Sequence, residues 1–212
     1  MINKPLVRFL CLPDIDRAIG GVKQLYRHVE HLISLGWDAA VITESKDFHP
    51  SWFASNAPRI ALKDFYECGE LKNNKCILVL PETYVGANLE DFKGFDLSSI
   101  PRVIFNQNAY YTYGNNFEII DSLIEKFYDH PAVLHVMSVS DDTNSFLANN
   151  IGINDKKLSR IVNSIESIFE INKTKENKIH WMPRKNKDHV SAILNSMKRL
   201  FLKFRYVLNC DL

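Results

Sequence analysis

The residues best suited to chemistry in this chain are carboxamides, phenols and a few well-placed glycines and carboxylates. In PRVIFNQNAYYTYG the amides of Asn106, Gln107 and Asn108 follow an apolar run, and Tyr110, Tyr111 and Tyr113 come directly after them. Amides carry donors and acceptors together, and aromatic faces pack against the C–H surface of a sugar ring, so the segment suits a neutral polyhydroxylated ligand. The competing reading is a polar turn whose tyrosines pack inward. In LVLPETYVG, Glu82 closes a second apolar run, where its carboxylate bonds sugar hydroxyls, holds a basic side chain, or caps the next helix. Gly20-Gly21 stands between the first apolar run and an amphipathic helix. Glycine at such a turn lets a phosphate reach free N–H groups at the positive end of a helix, and it also simply permits a tight entry. The dinucleotide pattern G-x-G-x-x-G is absent, which argues against a nicotinamide or flavin oxidoreductase. Ser140 and Asp141 in SVSDDTNSFL read locally as a helix cap and a first-turn acid.

Elements must bring these residues together. Apolar runs at 7–12, 39–43, 77–80, 103–106 and 133–139 have the length of buried strands, and most are separated by enough chain for a helix. That rhythm predicts an α/β fold, a Rossmann-like parallel sheet flanked by helices. The clearest helix runs from Gly21 to Leu35, with Val22, Leu25, Val29, Leu32 and Ile33 on one stripe and Gly36 ending it. Further helices are expected over 117–128 and from Ser140 to Asn149. Open sheets of this kind bind ligands at the carboxyl ends of their strands, which is where Glu82 and the three carboxamides fall. The polar stretch INKTKENK, 171–178, reads as a linker between a first domain over 1–170 and a second element over 179–212. That second element shows a strand at 179–182 and an apolar stripe of Val190, Ile193, Leu194, Met197, Phe201 and Phe204. With only RYVLNCDL beyond, it is expected to be a short fragment of a domain.

Composition narrows the partners. The 212 residues carry a formal net charge of +1 with 24% charged residues, so no global field draws the chain to nucleic acid. Hydrophobic residues make up 46% and no apolar stretch approaches the ~20 residues that span a bilayer. Cys11, Cys68, Cys76 and Cys210 show no paired short spacing. A reduced, cytoplasmic protein without metal or cofactor is the expectation.

The order of the motifs is more specific than any one of them. IGGV opening a helix that ends in LGWDAAVIT, then VSDDTNSFLANNIGI, RIVNSIESIF and IHWMPRKNKD, resembles the retaining glycosyltransferases of the GT-B fold, the large family of sucrose synthases and bacterial mannosyl- and rhamnosyltransferases. Asn163, Ile165, Glu166 and Phe169 match the segment that leads to that family's linker, with Ser164 in place of the usual glycine and Glu166 in place of the usual aspartate. A histidine usual near the family's acceptor site has no counterpart. The resemblance implies a nucleotide-sugar donor, a saccharide or lipid-linked acceptor, and no metal. It places Gly20, Gly21, Arg184, Lys185 and Lys187 on the donor diphosphate, while the residue types and their strand-end positions put Glu82, Asn106, Gln107, Asn108, Tyr110, Ser140 and Asp141 on the acceptor side. Catalytic residues stay unassigned. The chain alone is expected to transfer little or no sugar. The alternative is a non-catalytic carbohydrate-binding or regulatory module, or one half of a split enzyme that pairs through the helix from Val190 to Phe204. Peripheral membrane contact stays open, and a sugar-nucleotide epimerase would need acid and base groups that the sequence does not place.

Overall fold

The structure, a computed structural model, describes residues 4–68, 76–113, 121–163, 165, 178–181, 187–200 and 205–208. It divides into two compact units, Met1–Ser164 and Ile165–Leu212.

In the first unit the strands are β1 (Leu6–Leu10), β2 (Ala39–Thr43), β3 (Arg59–Ala61), β4 (Cys76–Pro81), β5 (Arg102–Asn106), β6 (Val133–Ser138) and β7 (Leu158–Arg160). They pair in parallel in the order β3-β2-β1-β4-β5-β6-β7. The helices are α1 (Gly20–Ser34), α2 (Leu62–Glu67), α3 (Asp121–Tyr128) and α4 (Asp141–Asn149). A parallel sheet must be covered on both faces, and its central strands are therefore mostly apolar, with Arg8 of β1 and Arg102 and Asn106 of β5 as buried polar exceptions. Every residue of β2 is buried. On one face Leu25, Tyr26 and Val29 of α1 pack on Val7, Phe9, Val79 and Phe105. On the other, Leu62 and Phe65 of α2, Ile124 and Phe127 of α3 and Leu147 of α4 pack on Leu10, Leu78, Leu80 and Ile104.

The expected Rossmann-like α/β sheet is thus present, with the predicted strands within two residues of their ends. The three-residue strands β3 and β7 and the six-residue α2 were not foreseen, because each is too short to show a period. Of the helix expected over 117–128, residues 117–120 lie outside the described residues. Gly36 ends α1 as expected. At φ +73° its N–H reaches Ile33 O at 2.9 Å, and the Trp37 N–H reaches Leu32 O at 3.0 Å. This left-handed cap closes the last carbonyls and turns the chain into β2.

The second unit holds β8 (Lys178–Trp181), α5 (Lys187–Leu200) and β9 (Arg205–Leu208). β8 and β9 pair in parallel across the helix, so RYVLNCDL supplies a strand that the sequence reading left unassigned. The result is a βαβ unit, where a strand and a helix alone were expected. Residues 171–177 of the expected linker, and Phe201 and Phe204 of the helix stripe, lie outside the described residues. Among the described residues no helix is long and apolar enough to cross a membrane.

One packed side chain in the first unit is a histidine buried among aromatic rings. His28 of α1 lies parallel to Phe9 with 6.3 Å between centroids and edge-on to Phe105 at 5.0 Å. Burial holds its imidazole below the ordinary range. The Asn163 carboxamide opposes that shift, yet it makes no well-formed bond, and both His28 Nε2 and Asn163 Oδ1 are left unpaired. A folded-state pKa below the unfolded one means that the native state binds fewer protons, so stability is lost as pH falls through and below ~6.5. Denaturant midpoints measured from pH 7.5 to 5 are expected to drop in the wild type and to drop less in His28→Phe, which keeps the ring contacts. Parallel pH profiles for the two proteins would rule His28 out as the cause.

Candidate functional site

The strand order reverses between β1 and β4. From β1 the chain winds outward to β2 and β3, and from β4 it winds the other way to β5, β6 and β7. Loops leaving the two strands therefore diverge to opposite faces, the arrangement that in open sheets of this kind makes the space beyond the carboxyl ends the ligand crevice. Its floor is closed by Tyr84, in a 3-10 turn at Glu82–Tyr84. The Tyr84 hydroxyl accepts from the Leu12 N–H at 2.7 Å and donates to the Leu12 carbonyl at 2.9 Å, which ties the end of β1 to the end of β4. The phenol is 8% exposed, and burial raises its pKa.

The loop from β1 to α1 is held from the side by its acids. Asp14 accepts from the Glu44 and Ser45 N–H groups, both at 2.9 Å, and Asp16 accepts from the Ser51 N–H at 2.7 Å. The Ser51 bonds hold the Asp16 carboxyl below its ordinary value. Glu44 in turn accepts from the Asp14 N–H at 3.3 Å and pairs with Lys93. These carboxylates fasten the loop that presents Gly20 and Gly21.

The first turn of α1 is open. Its N-cap residue Ile19 has no side chain to accept from the helix, and no acid stands in the first turn. A Cβ built on Gly20 would meet nothing within 4 Å. Gly21 is different, because a Cβ there would stand 3.1 Å from Gln107 Nε2. That amide donates to the Gly21 carbonyl at 3.3 Å, so the glycine allows the end of β5 to close onto α1.

Glu82 holds Gln107 in place. Its Oε2 accepts from the Gln107 N–H at 3.0 Å, and the side chain is buried, with the residue 2% exposed. Burial pushes the Glu82 pKa up to about 6, against backbone N–H bonds from Gln107, Glu82 itself and Asn108 that lower it. Asn106, with zero exposure, lies deeper still. Its Nδ2 donates to the Tyr128 hydroxyl at 2.7 Å and to Thr112 Oγ1 at 3.3 Å, while its Oδ1 is left unpaired. The candidate residues therefore fall into two groups. Glu82 and Asn106 support the crevice from within, and in this conformation a ligand on its surface meets neither. Gln107 and Asn108, half-buried, form its edge. Asn108 Oδ1 accepts from the Tyr110 N–H at 3.1 Å, and Tyr110 stands 69% exposed with its ring 6.5 Å from Phe146.

Ser140 and Asp141 sit at the start of α4. Ser140 Oγ accepts from the Thr143 N–H at 3.0 Å as an N-cap, and Asp141 pairs with Arg160 at 3.1 Å. Lys187 opens α5 in the second unit, while Arg184 and Lys185 lie outside the described residues. Among the described residues no cluster of three or more His, Cys, Asp or Glu side chains is placed to hold a metal. Tyr84, Asp14 and Asp16, which do most to shape the crevice, were not singled out as site residues. Their roles depend on partners some thirty or more residues away, and no local pattern marks such contacts.

The raised Glu82 carboxyl has a consequence opposite in sign to that of His28. The native state binds more protons than the unfolded chain between the ordinary carboxyl range and about 6, so this group's contribution to stability falls as pH rises through that window. A shift of that size corresponds to about 2 kcal/mol. Glu82→Gln keeps an oxygen for the Gln107 N–H and removes the buried charge. Relative to wild type, the variant is expected to gain stability between pH 5 and 7, as read by chemical denaturation at each pH, and a constant difference across the range would refute the assignment. No family model matches the chain, and no curated protein matches it either, so its function is read from the geometry.

Proposed function

We propose that the chain carries the acceptor-side domain of a nucleotide-sugar-dependent glycosyltransferase of the GT-B type. The reading is supported by the order of motifs along the sequence together with a parallel sheet of matching class. The observation that carries it is the meeting, at the point where strand order reverses, of the uncapped amino end of α1 with the carboxamides that end β5. Free N–H groups and the helix dipole suit a diphosphate at Gly20 and Gly21. Amide donors and acceptors beside an exposed tyrosine suit a saccharide at Gln107, Asn108 and Tyr110. Arg184, Lys185 and Lys187 are the cations this reading assigns to the donor phosphates, Arg184 as a bidentate ligand. Transfer in such an enzyme depends on holding donor and acceptor together and on stabilising the leaving diphosphate, so positioning and electrostatics do most of the work.

A second reading, a non-catalytic carbohydrate-binding module, draws on Glu82. The carboxylate nearest the crevice is 2% exposed and bonded to backbone, and Asp14 and Asp16 are bonded to the neighbouring loop. Binding needs no free acid or base there, whereas transfer draws on further groups.

Titrating the isotope-labelled chain with uridine, guanosine and thymidine diphosphate sugars and with neutral oligosaccharides distinguishes these readings. The transferase reading expects amide shifts at Gly20 and Gly21 with a donor and at Gln107 and Asn108 with a saccharide. Saccharide shifts without any donor response favour the binding module. No response at these four residues to either class would sink both.

A further inference from the structure

Two arginines are buried among the described residues, and their surroundings differ. Arg8 of β1 is 4% exposed and pairs with the Asp38 carboxylate at 2.8 Å. Arg102, the first residue of β5, is 1% exposed, and among the described residues no carboxylate pairs with it. Its side chain donates from Nη1 to the Ser98 carbonyl at 2.8 Å, while Nε is buried and unpaired. A guanidinium does not shed its proton inside a protein, so the positive charge stays. Taking such a charge out of water is costly, and one neutral carbonyl returns only a small part of that cost.

No described neighbour supplies a counter-charge. Burial lowers the Arg102 pKa, and no nearby acid raises it. The imidazole of His130, just past α3, is held below its ordinary range by burial first and then by the charges of Arg102 and Lys126, with Glu90 opposing. Glu90 is itself exposed and stands 3.9 Å from Lys126. Glu125 and Asp129 stand exposed at a hollow of about 390 Å³ that Lys126 and His130 also line, and neither forms an ion pair with Arg102. The buried charge thus lies near an open hollow in a locally positive setting.

An anion completes this environment, and burial limits its size. A carboxylate or phosphate ester brings a body that a residue 1% exposed has no surface to receive, whereas a halide needs only one or two N–H groups and an apolar wall. We propose that Arg102 is the receptor for a small monovalent anion the size of chloride, held by the unpaired Nε–H. The place is the amino end of β5, where Arg102 stands between Leu78 of β4 and Val133 of β6. Asn106, Gln107 and Asn108 lie at the other end of the strand, so the site does not depend on any ligand bound there.

Urea unfolding of the full chain is followed at constant ionic strength while chloride replaces gluconate, an anion too large for the site. A ligand that binds only the native state stabilises it by mass action. The folding equilibrium constant of the wild type is therefore expected to rise about tenfold once chloride stands roughly tenfold above its dissociation constant. Arg102→Met keeps most of the side-chain length and removes the charge, and its midpoint is expected to be the same in both salts. The Arg102 Nε–H signal of the isotope-labelled wild type reads the contact directly and does not require the variant to fold. It is expected to shift with chloride and with bromide and to saturate. A signal that stays in place, one that drifts in proportion to salt without saturating, or equal chloride dependence of wild type and Arg102→Met overturns the proposal.

Discussion

Everything at the carboxyl edge of the sheet depends on how the chain manages its reversal between β1 and β4. β1 and β4 pair along their length, but the loops that leave them part to opposite faces, so the backbone just beyond the strand ends loses its neighbours, and unpaired backbone groups below the surface are costly. Tyr84 resolves this with one hydroxyl that serves both the N–H and the C=O of Leu12. The phenol behaves as a missing strand residue would, donating and accepting at the same position. With β1 and β4 joined there, the crevice has a floor, and the groups above it are held relative to one another by the sheet.

Above that floor the fold accepts a cost. A carboxyl in a position that disfavours its charge and an asparagine with an unpaired buried oxygen both reduce stability, and an apolar pair of the same volume would not. What they give in return is placement. Glu82 orients the backbone at Gln107, Gln107 in turn reaches Gly21, and Asn106 fastens the end of β5 to Thr112 and to Tyr128 of α3. Glu82 and Asn106 are buried polar groups at the carboxyl ends of β4 and β5, where they hold neighbouring groups in fixed relation.

The sheet was legible because its signal is local and redundant. AAVIT is buried at every position and reads as a strand by itself, and Gly36 stops a helix whose stripe is already evident. RIA and LSR are strands only because a longer neighbour offers a ladder to join, RYVL pairs with a strand as short as itself, and no property of three or four residues announces that. Site residues divide in the same way. The run Asn106-Gln107-Asn108 was recognisable as unusual chemistry, but which of the three faces a ligand depends on the pleat and on Tyr128, twenty-two residues along. The acids of the β1–α1 loop were visible as residues and invisible as braces, since their partners lie on the loop that follows β2.

The two helices that begin near this edge differ in what they leave unsatisfied. α4 starts with a serine cap and has Asp141 and Asp142 in its first turn, so its amino end is both hydrogen-bonded and negative. An anion approaching it meets charge of its own sign. α1 starts at Ile19 with no cap and no acid, and with open space at Gly20. A serine, aspartate or asparagine at position 19 would stabilise the helix by about 1 kcal/mol. That it is missing from a 15-residue helix that is otherwise well closed by Gly36 puts the unsatisfied N–H groups at the end of the helix that faces the crevice. If an anionic ligand supplies the missing acceptors, the same groups that weaken the free helix contribute to binding, and the neutral carboxamides beside them take the part of the ligand that carries no charge.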